Sequence, residues 1–293
     1  MTVLLNRFIG TLYKVRLVLI PLLVLLVCVV VYLVAAHSFH VPFSQIFTPE
    51  LLTYILVGIG AQLIDGALGM AYGVSSTTFL MSVGVSPAAA SAAVHVSEVF
   101  TTGASGLSHL GFKNINKKLF RAMVIPGVLG AMLGAYVLTS INGDFVKPFV
   151  SLYLLIMGVV IIRKALRTVI AKEKVSRVGL LALAGGFLDS IGGGGWGPVV
   201  TSTLLSKGRS PQYTIGTVNA TEFFVTFASA GVFTWFLGLQ NISVIAGLVL
   251  GGIIAAPFGA LLVGKIKPKP LMIAVGVLII LLSLRNLIKF LPL

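Results

Sequence analysis

The chain has 293 residues, 57% of them hydrophobic and only 10% charged, with a mean hydropathy of +1.08. A soluble domain carries about 25% charged residues, so this chain cannot cover a water-facing surface and most of its exterior must meet lipid. The net charge of +14 does not signal nucleic acid, because the bases sit in short clusters between apolar segments, as in cytoplasmic loops of membrane proteins.

The first predicted element is an uncharged run over 17–36, about the length that spans ~30 Å of hydrocarbon. It is longer than the roughly 7–15 apolar residues of a signal peptide. It therefore reads as a retained anchor helix, with Arg7, Lys14 and Arg16 keeping its N-terminus in the cytoplasm. Cys28 is the single cysteine, so no intrachain disulfide can form. Further apolar stretches follow at 51–64, 86–108, 122–141, 149–162, 178–188, 211–237, 242–264 and 271–284. His37, His40 and His109 are placed in solvated loops.

These stretches form two copies of one unit. Setting residue i against i+124 makes 15 of 41 positions identical from Asp65 to Ser105. The pairs include Asp65/Asp189, Gly69/Gly193, Gly73/Gly197, Thr77/Thr201, Pro87/Pro211 and Glu98/Glu222. Chance matching of apolar sequence does not pair scarce Asp, Glu and Pro. With one residue inserted, the match resumes at Gly127/Gly252, Gly134/Gly259 and Ala135/Ala260. The chain divides into 1–49 (cytoplasmic segment, anchor helix and outer loop), 50–168 (first repeat) and 169–293 (basic linker and second repeat), all one integral domain.

Loop charge reverses between the units. In the first, Lys113, Lys117, Lys118 and Arg121 follow the second apolar block, and the turn at 84–86 is neutral. In the second, the equivalent turn carries Lys207 and Arg209, the next loop at 238–241 is neutral, and the third carries Lys265, Lys267 and Lys269. Positive loops stay cytoplasmic, so the units are predicted to lie in opposite orientations, as inverted-topology repeats. Each unit must then cross an odd number of times, yet shows four apolar blocks. The first block of each is interrupted by glycines, at 65–73 and at 189–198. Glycine costs a helix about 1 kcal/mol and proline about 3, so a helix through 192–198 is untenable. The expected fold is an all-α polytopic membrane protein. Each repeat is a broken or re-entrant helical hairpin plus three transmembrane helices, after one extra N-terminal helix. That makes seven crossings and two hairpins, with the C-terminus outside. Arg285 and Lys289, at that outer end, run against the charge rule.

Only seven residues are acidic, and Asp65, Asp189, Glu98 and Glu222 fall at repeat-related positions in apolar blocks. A carboxylate at the bilayer centre costs about 2.5–3.5 kcal/mol on translocon scales. The aspartates either cap the half-helices that follow them or serve the site directly. The glutamates are polar helix contacts or carboxylates that take up and release a proton. His95 and Asn219, also equivalent, stand three residues before the glutamates and share their helical face. They are buried donors or contacts to a substrate or proton.

Small hydroxylic residues follow each break: Ser75, Ser76, Thr77 and Thr78, then Thr201, Ser202 and Thr203. Helix N-termini bind anions through free amides, and Gly193, Gly194 and Gly195 let the backbone approach. The apolar blocks bearing these motifs hold no base. The equivalent Tyr72 and Trp196 line the path or simply pack.

Two copies of G-x-x-(I/L)-D-(G/S)-x-x-G, with an aromatic, a glycine and a downstream S-P…E, resemble the TauE/SafE family of sulfite exporters. In this chain the residues are Gly60-Ala-Gln-Leu-Ile-Asp65-Gly-Ala-Leu-Gly69 and Gly185-Gly-Phe-Leu-Asp189-Ser-Ile-Gly-Gly193-Gly-Gly-Trp196-Gly-Pro198, with Ser210-Pro211 and Asn219-Ala-Thr-Glu222. The first copy departs at Met70 and Ala71, where the second has Gly194 and Gly195, which makes the site asymmetric. The resemblance implies a transporter of sulfite, organosulfonates or other small organic anions in the cell membrane. A proton or a sodium ion would be the coupling ion, and no cofactor or metal is expected. An anion channel is the alternative. An enzyme is disfavoured, because no H-E-x-x-H, Cys cluster or paired-histidine motif is present.

Overall fold

A computed structural model describes residues 43–111, 113–166, 176–262 and 268–289. The anchor segment at 17–36 and the basic linker at 167–175 lie outside the described residues. No strand occurs among those described. In the first unit, α1 (Leu51–Leu68) and α2 (Tyr72–Ser82) are the two halves of the broken block. They are followed by α3 (Pro87–Gly111), α4 (Lys117–Ser140) and α5 (Gly143–Leu166). In the second, α6 (Val178–Gly192) leads through the glycine run into a π-helical turn (Gly197–Thr201) and the short α7 (Ser202–Ser206). Then come α8 (Pro211–Leu237), α9 (Ile242–Leu262) and α10 (Pro268–Ile288).

The breaks fall where glycine and proline cost predicts. Gly69 and Gly193 both end their helices in the left-handed region, at φ 67° and 65°. Ala71 holds φ 90°, a conformation that costs a non-glycine residue about 1–2 kcal/mol. Its counterpart Gly195 carries no such cost.

By length and composition, four described helices can cross a membrane: Lys117–Ser140, Gly143–Leu166, Pro211–Leu237 and Lys269–Ile288. Leu51–Gly66, Val178–Gly192 and Ile242–Ala256 are shorter apolar helices. α3 is as long as the spanning helices, but Ser91, His95, Ser97, Glu98, Thr101 and Thr102 dilute its apolar character, and all six are buried. The polarity is that of a membrane protein. Ile125, Leu129, Leu133 and Tyr136 form an exposed stripe on α4, Phe145, Phe149, Leu152 and Ile156 one on α5, and Trp235 on α8 is 85% exposed. Carboxylates and hydroxyls lie inside. In α3 and α8 most buried hydroxyls bond back one turn, as in Ser97 to the Ala93 carbonyl and Thr221 to the Thr217 carbonyl, which satisfies them without water, while Ser91 donates across to the Ser190 carbonyl of α6.

Helix pairing runs between units. α1 packs on α9 and α6 on α4. α3 packs on α8 and on α9, α8 on α4, and α5 on α10. Exchanging the two units maps this set of pairings onto itself. Glycines allow the closest of them, since a membrane interior offers no hydrophobic drive between helices and association relies on small residues and close packing. A Cβ on Gly130 or Gly134 of α4 would strike the Leu183 or Phe187 carbonyl of α6. One on Gly247 or Gly251 of α9 would strike Tyr54 or Ile55 of α1.

His109 departs from the expected solvated loop. α3 runs two residues past it, and the ring is half-buried, with Nδ1 3.4 Å from the Asn114 side-chain amide. Lys289 gains a local reason for its place, because its Nζ donates to the Ser82 carbonyl at 3.4 Å. There it serves the C-terminal end of α2, where a cation is favoured.

The glycine contacts make a discriminating test. Gly130→Ala and Gly251→Ala are each expected to destabilise the fold by about 1–3 kcal/mol through overpacking. Gly60→Ala, whose Cβ meets nothing within 4 Å, is expected to be neutral or stabilising by up to about 1 kcal/mol. Thermal unfolding of the detergent-purified variants reads both. Equal losses at all three positions would contradict the packing described.

Candidate functional site

The two breaks abut at the centre of the molecule, backbone against backbone. A Cβ on Gly73 would stand 2.8 Å from the Gly194 Cα and 2.9 Å from the Gly193 carbonyl. One on Gly197 would stand 2.7 Å from the Met70 Cα, and one on Gly194 would overlap Val74 and Gly73. Carbonyls freed by the broken helices need partners in a region without water. Thr77 Oγ1 donates to the Gly193 carbonyl at 2.5 Å, tying α2 to the other unit's break, and Tyr153 Oη donates to the Gly194 carbonyl at 3.0 Å.

Asp189 organises the second break. Its backbone carbonyl accepts from the amides of Gly193 and Gly194. Its Oδ1 accepts from the amides of Gly195 and Trp196 at 2.6 and 2.9 Å. This is side-chain capping of the following half-helix. The Asp65 carboxylate engages the Tyr72 amide in the same way. The amides of Gly193, Gly194 and Gly195 are therefore spent within the protein, where sequence reasoning had them free for an anion. The reason is local: the turn after Gly192 folds back over the aspartate three residues earlier.

The hydroxyls divide likewise. Ser75 donates to the Ala71 carbonyl, Thr77 to Gly193 and Ser202 to the Pro198 carbonyl. Ser76 Oγ and Thr201 Oγ1 are buried with no protein partner, as are Asn219 Oδ1 and Glu98 Oε2. These four atoms are hydrogen-bonding capacity held inside the fold and left unused by it. Tyr72 and Trp196 are both buried and anchored, Tyr72 Oη on the Leu248 carbonyl and Trp196 Nε1 on the Val218 carbonyl, each at 3.3 Å. Both aromatics pack as wedges beneath the breaks.

His95 and Glu98 come to the centre from α3, and Asn219 and Glu222 from α8. All four are buried. His95 Nε2 lies 3.2 Å from Asp189 Oδ2, a contact between the two units. The four carboxylates interact electrostatically: Asp65 with Asp189, Glu98 with both aspartates, and Glu222 with the other three. The centre is rich in acid.

Sequence reasoning missed one base that reaches this region. Lys164, near the end of α5, donates to the Pro198 carbonyl of the π-helical turn at 2.7 Å and to Ser202 Oγ at the start of α7. Lys289, just past α10, makes the related contact to α2. The signal was available: Lys164 and Lys289 stand 125 apart, the offset that pairs Gly127 with Gly252. A cavity of about 410 Å³ lies elsewhere, between α3 and α8. Gly103, Gly106, Leu110, Phe223 and Phe224 line it without any carboxylate.

The family model described as Sulfite exporter TauE/SafE matches residues 54–286. A curated relative, "Probable membrane transporter protein YtnM" of Bacillus subtilis (strain 168), is 45% identical over 251 residues, 82% of this chain and 83% of the relative. No solved structure matches. The family match spans both breaks and all four buried carboxylates, and the chain belongs to the TauE/SafE sulfite exporter family of membrane transporters.

Proposed function

We propose that this protein is a secondary transporter that carries a small anion, sulfite, an organosulfonate or a related organic anion, across the cell membrane in company with protons. The observation that carries the reading is the direct abutment of two broken helices, one from each repeat, beside buried carboxylates at equivalent positions. Discontinuous helices meeting at the interface of two repeats are how many secondary transporters build a midplane site. The anion class rests on the family.

The two repeats take opposite orientations, with the N-terminus in the cytoplasm and the C-terminus outside. Helix pairings that survive exchange of the units support a two-fold relation between them. Their faces against one another, α3 on α8 and α5 on α10, are where one repeat rocks against the other to expose the site to each side in turn. Ser76, Thr201, His95 and Asn219 contact the anion. An ionised Glu98 or Glu222 repels the anion, and a protonated one admits it, so proton and anion move together.

Two outcomes follow. Proteoliposomes are expected to take up radiolabelled sulfite or a simple sulfonate saturably, and faster under an inward-acid pH gradient. Uptake that never saturates and ignores the gradient would mean a channel. Neither anion entering would remove the substrate assignment. Glu222→Gln, a near-isosteric change that removes the titratable group, is expected to reduce the acceleration by the gradient about 5–150-fold, the usual span of a coupling free energy. Unchanged acceleration in a folded variant would remove Glu222 from the coupling.

A further inference from the structure

We infer that His95, Glu98 and Asp189 form a binding site for one divalent transition-metal cation of the zinc, cobalt or manganese class, lodged between the two repeats. One ligand atom from each of the three lies within 4.8 Å of the others, and all three residues are buried. His95 and Glu98 come from one face of α3, one turn apart. Asp189 comes from the end of α6 in the other unit. No local motif announces the set, which is why sequence reasoning expected no metal. Only the fold brings the two units' residues together.

The hydrogen bonds around the cluster prepare it for a cation. His95 Nδ1 lies 2.8 Å from the Ser91 carbonyl. A carbonyl only accepts, so Nδ1 donates to Ser91 and Nε2 is the nitrogen turned to the cluster. Metal-bound histidines are oriented in this way, donating their second ring nitrogen to a carbonyl or carboxylate. Nε2 faces Asp189 Oδ2 at 3.2 Å, a pair that a proton or a metal cation between them would bridge. Asp189 Oδ1 is held by two amides, which leaves Oδ2 free to ligate. Glu98 Oε2, on a residue 2% exposed, has no protein partner.

The His95–Asp189 distance suits a metal as well as a shared proton. Ligand atoms bonded to zinc at about 2.0–2.2 Å stand roughly 3.0–3.5 Å apart around the ion, and this pair at 3.2 Å falls within that range. The full set lies within 4.8 Å, so binding an ion draws the three side chains together. One imidazole and two carboxylates suit a borderline divalent ion. Three protein ligands leave coordination positions open, as at metal sites that bind a further group.

This inference deepens the transporter reading and narrows it: with His95 and Glu98 on the metal, the anion meets the cation in place of His95, and Glu222 is left to take up the proton. It supplies a positive centre among four carboxylates, to which an oxyanion could bind. Its test does not depend on transport. The full chain, purified in detergent and stripped with a chelator, is titrated with Co²⁺ and Zn²⁺. Cobalt absorption and metal analysis by mass spectrometry are the readouts. One equivalent per chain is expected. Glu98→Gln and His95→Gln are expected to weaken binding by more than the roughly 10–100-fold that losing an outer partner costs, and His109→Gln to leave it unchanged. Asp189→Asn is avoided because Asp189 also caps the second break, and thermal unfolding checks that each variant is folded. A wild-type protein that stays metal-free, or variants that bind as tightly as wild type, would overturn the site. A protein that transports without binding metal overturns this inference alone. One that binds metal and moves neither anion overturns the substrate reading alone.

Discussion

Everything at the centre of this molecule depends on two stretches of backbone touching without side chains between them. Gly73 and Gly194 approach so closely that a methyl group on either would collide with the main chain of the other. Because the breaks lie on different repeats, that contact fixes the register of one unit on the other. Asp189, which caps one break, is thereby set within reach of His95 on the opposite unit's helix. The Thr77 bond to the Gly193 carbonyl has the same effect. It closes an orphan acceptor and joins the units in one step.

The surrounding helices serve that contact under a constraint set by lipid. Since hydrocarbon tails are as apolar as leucine, burying leucine between helices gains little, and close approach at small residues takes over. Hence the glycines of α4 face α6 and those of α9 face α1, while isoleucine, leucine and phenylalanine point outward. Polar groups move inward for the same reason. Those on α3 and α8 are arranged in two tiers. Most serines and threonines close on their own helix one turn back, which costs no partner from elsewhere. Residues such as Asn219 and Glu98 retain an atom that nothing in the protein satisfies. A buried polar atom without a partner costs about 1–3 kcal/mol, and a fold that keeps several of them in one place is holding them for something else.

How much of this could be read beforehand follows from the range of each interaction. The helix breaks, the repeat and the burial of Asp65, Glu98, Asp189 and Glu222 were legible, because glycine cost, matched spacing and charge in apolar sequence are local properties. The pairing of His95 with Asp189 was not, since it joins residues 94 positions apart across a contact that sequence does not encode locally. Capping by the aspartates was among the readings the sequence offered. What it did not reveal is that the Asp189 carbonyl also takes the Gly193 and Gly194 amides, so that none of the three glycine amides is left for an anion. Lys164 shows the opposite failure. Its match to Lys289 lies in plain sight at the offset already in use, but both sit at helix ends, where a lysine is ordinarily a solvated charge. The His109 departure is a boundary effect, with α3 running three residues further than its apolar stretch at 86–108.

The charge at the centre sets the last constraint. Four buried carboxylates and one histidine interact where the helices break, and Lys164 is engaged with the π-helical turn. Two unit charges about 4 Å apart repel by about 4 kcal/mol at an effective dielectric of 20, so a cluster of ionised carboxylates would oppose an anion by more than a few hydroxyls can return. On the proposed reading, an anion enters this centre only together with positive charge, as protons on the glutamates, as a cation between His95 and Asp189, or as both. Transport and coupling would then be one electrostatic requirement, because the state that admits the anion is the state that has already taken up the cation, and the acidic residues that oppose an anion would be what ties its movement to an ion gradient.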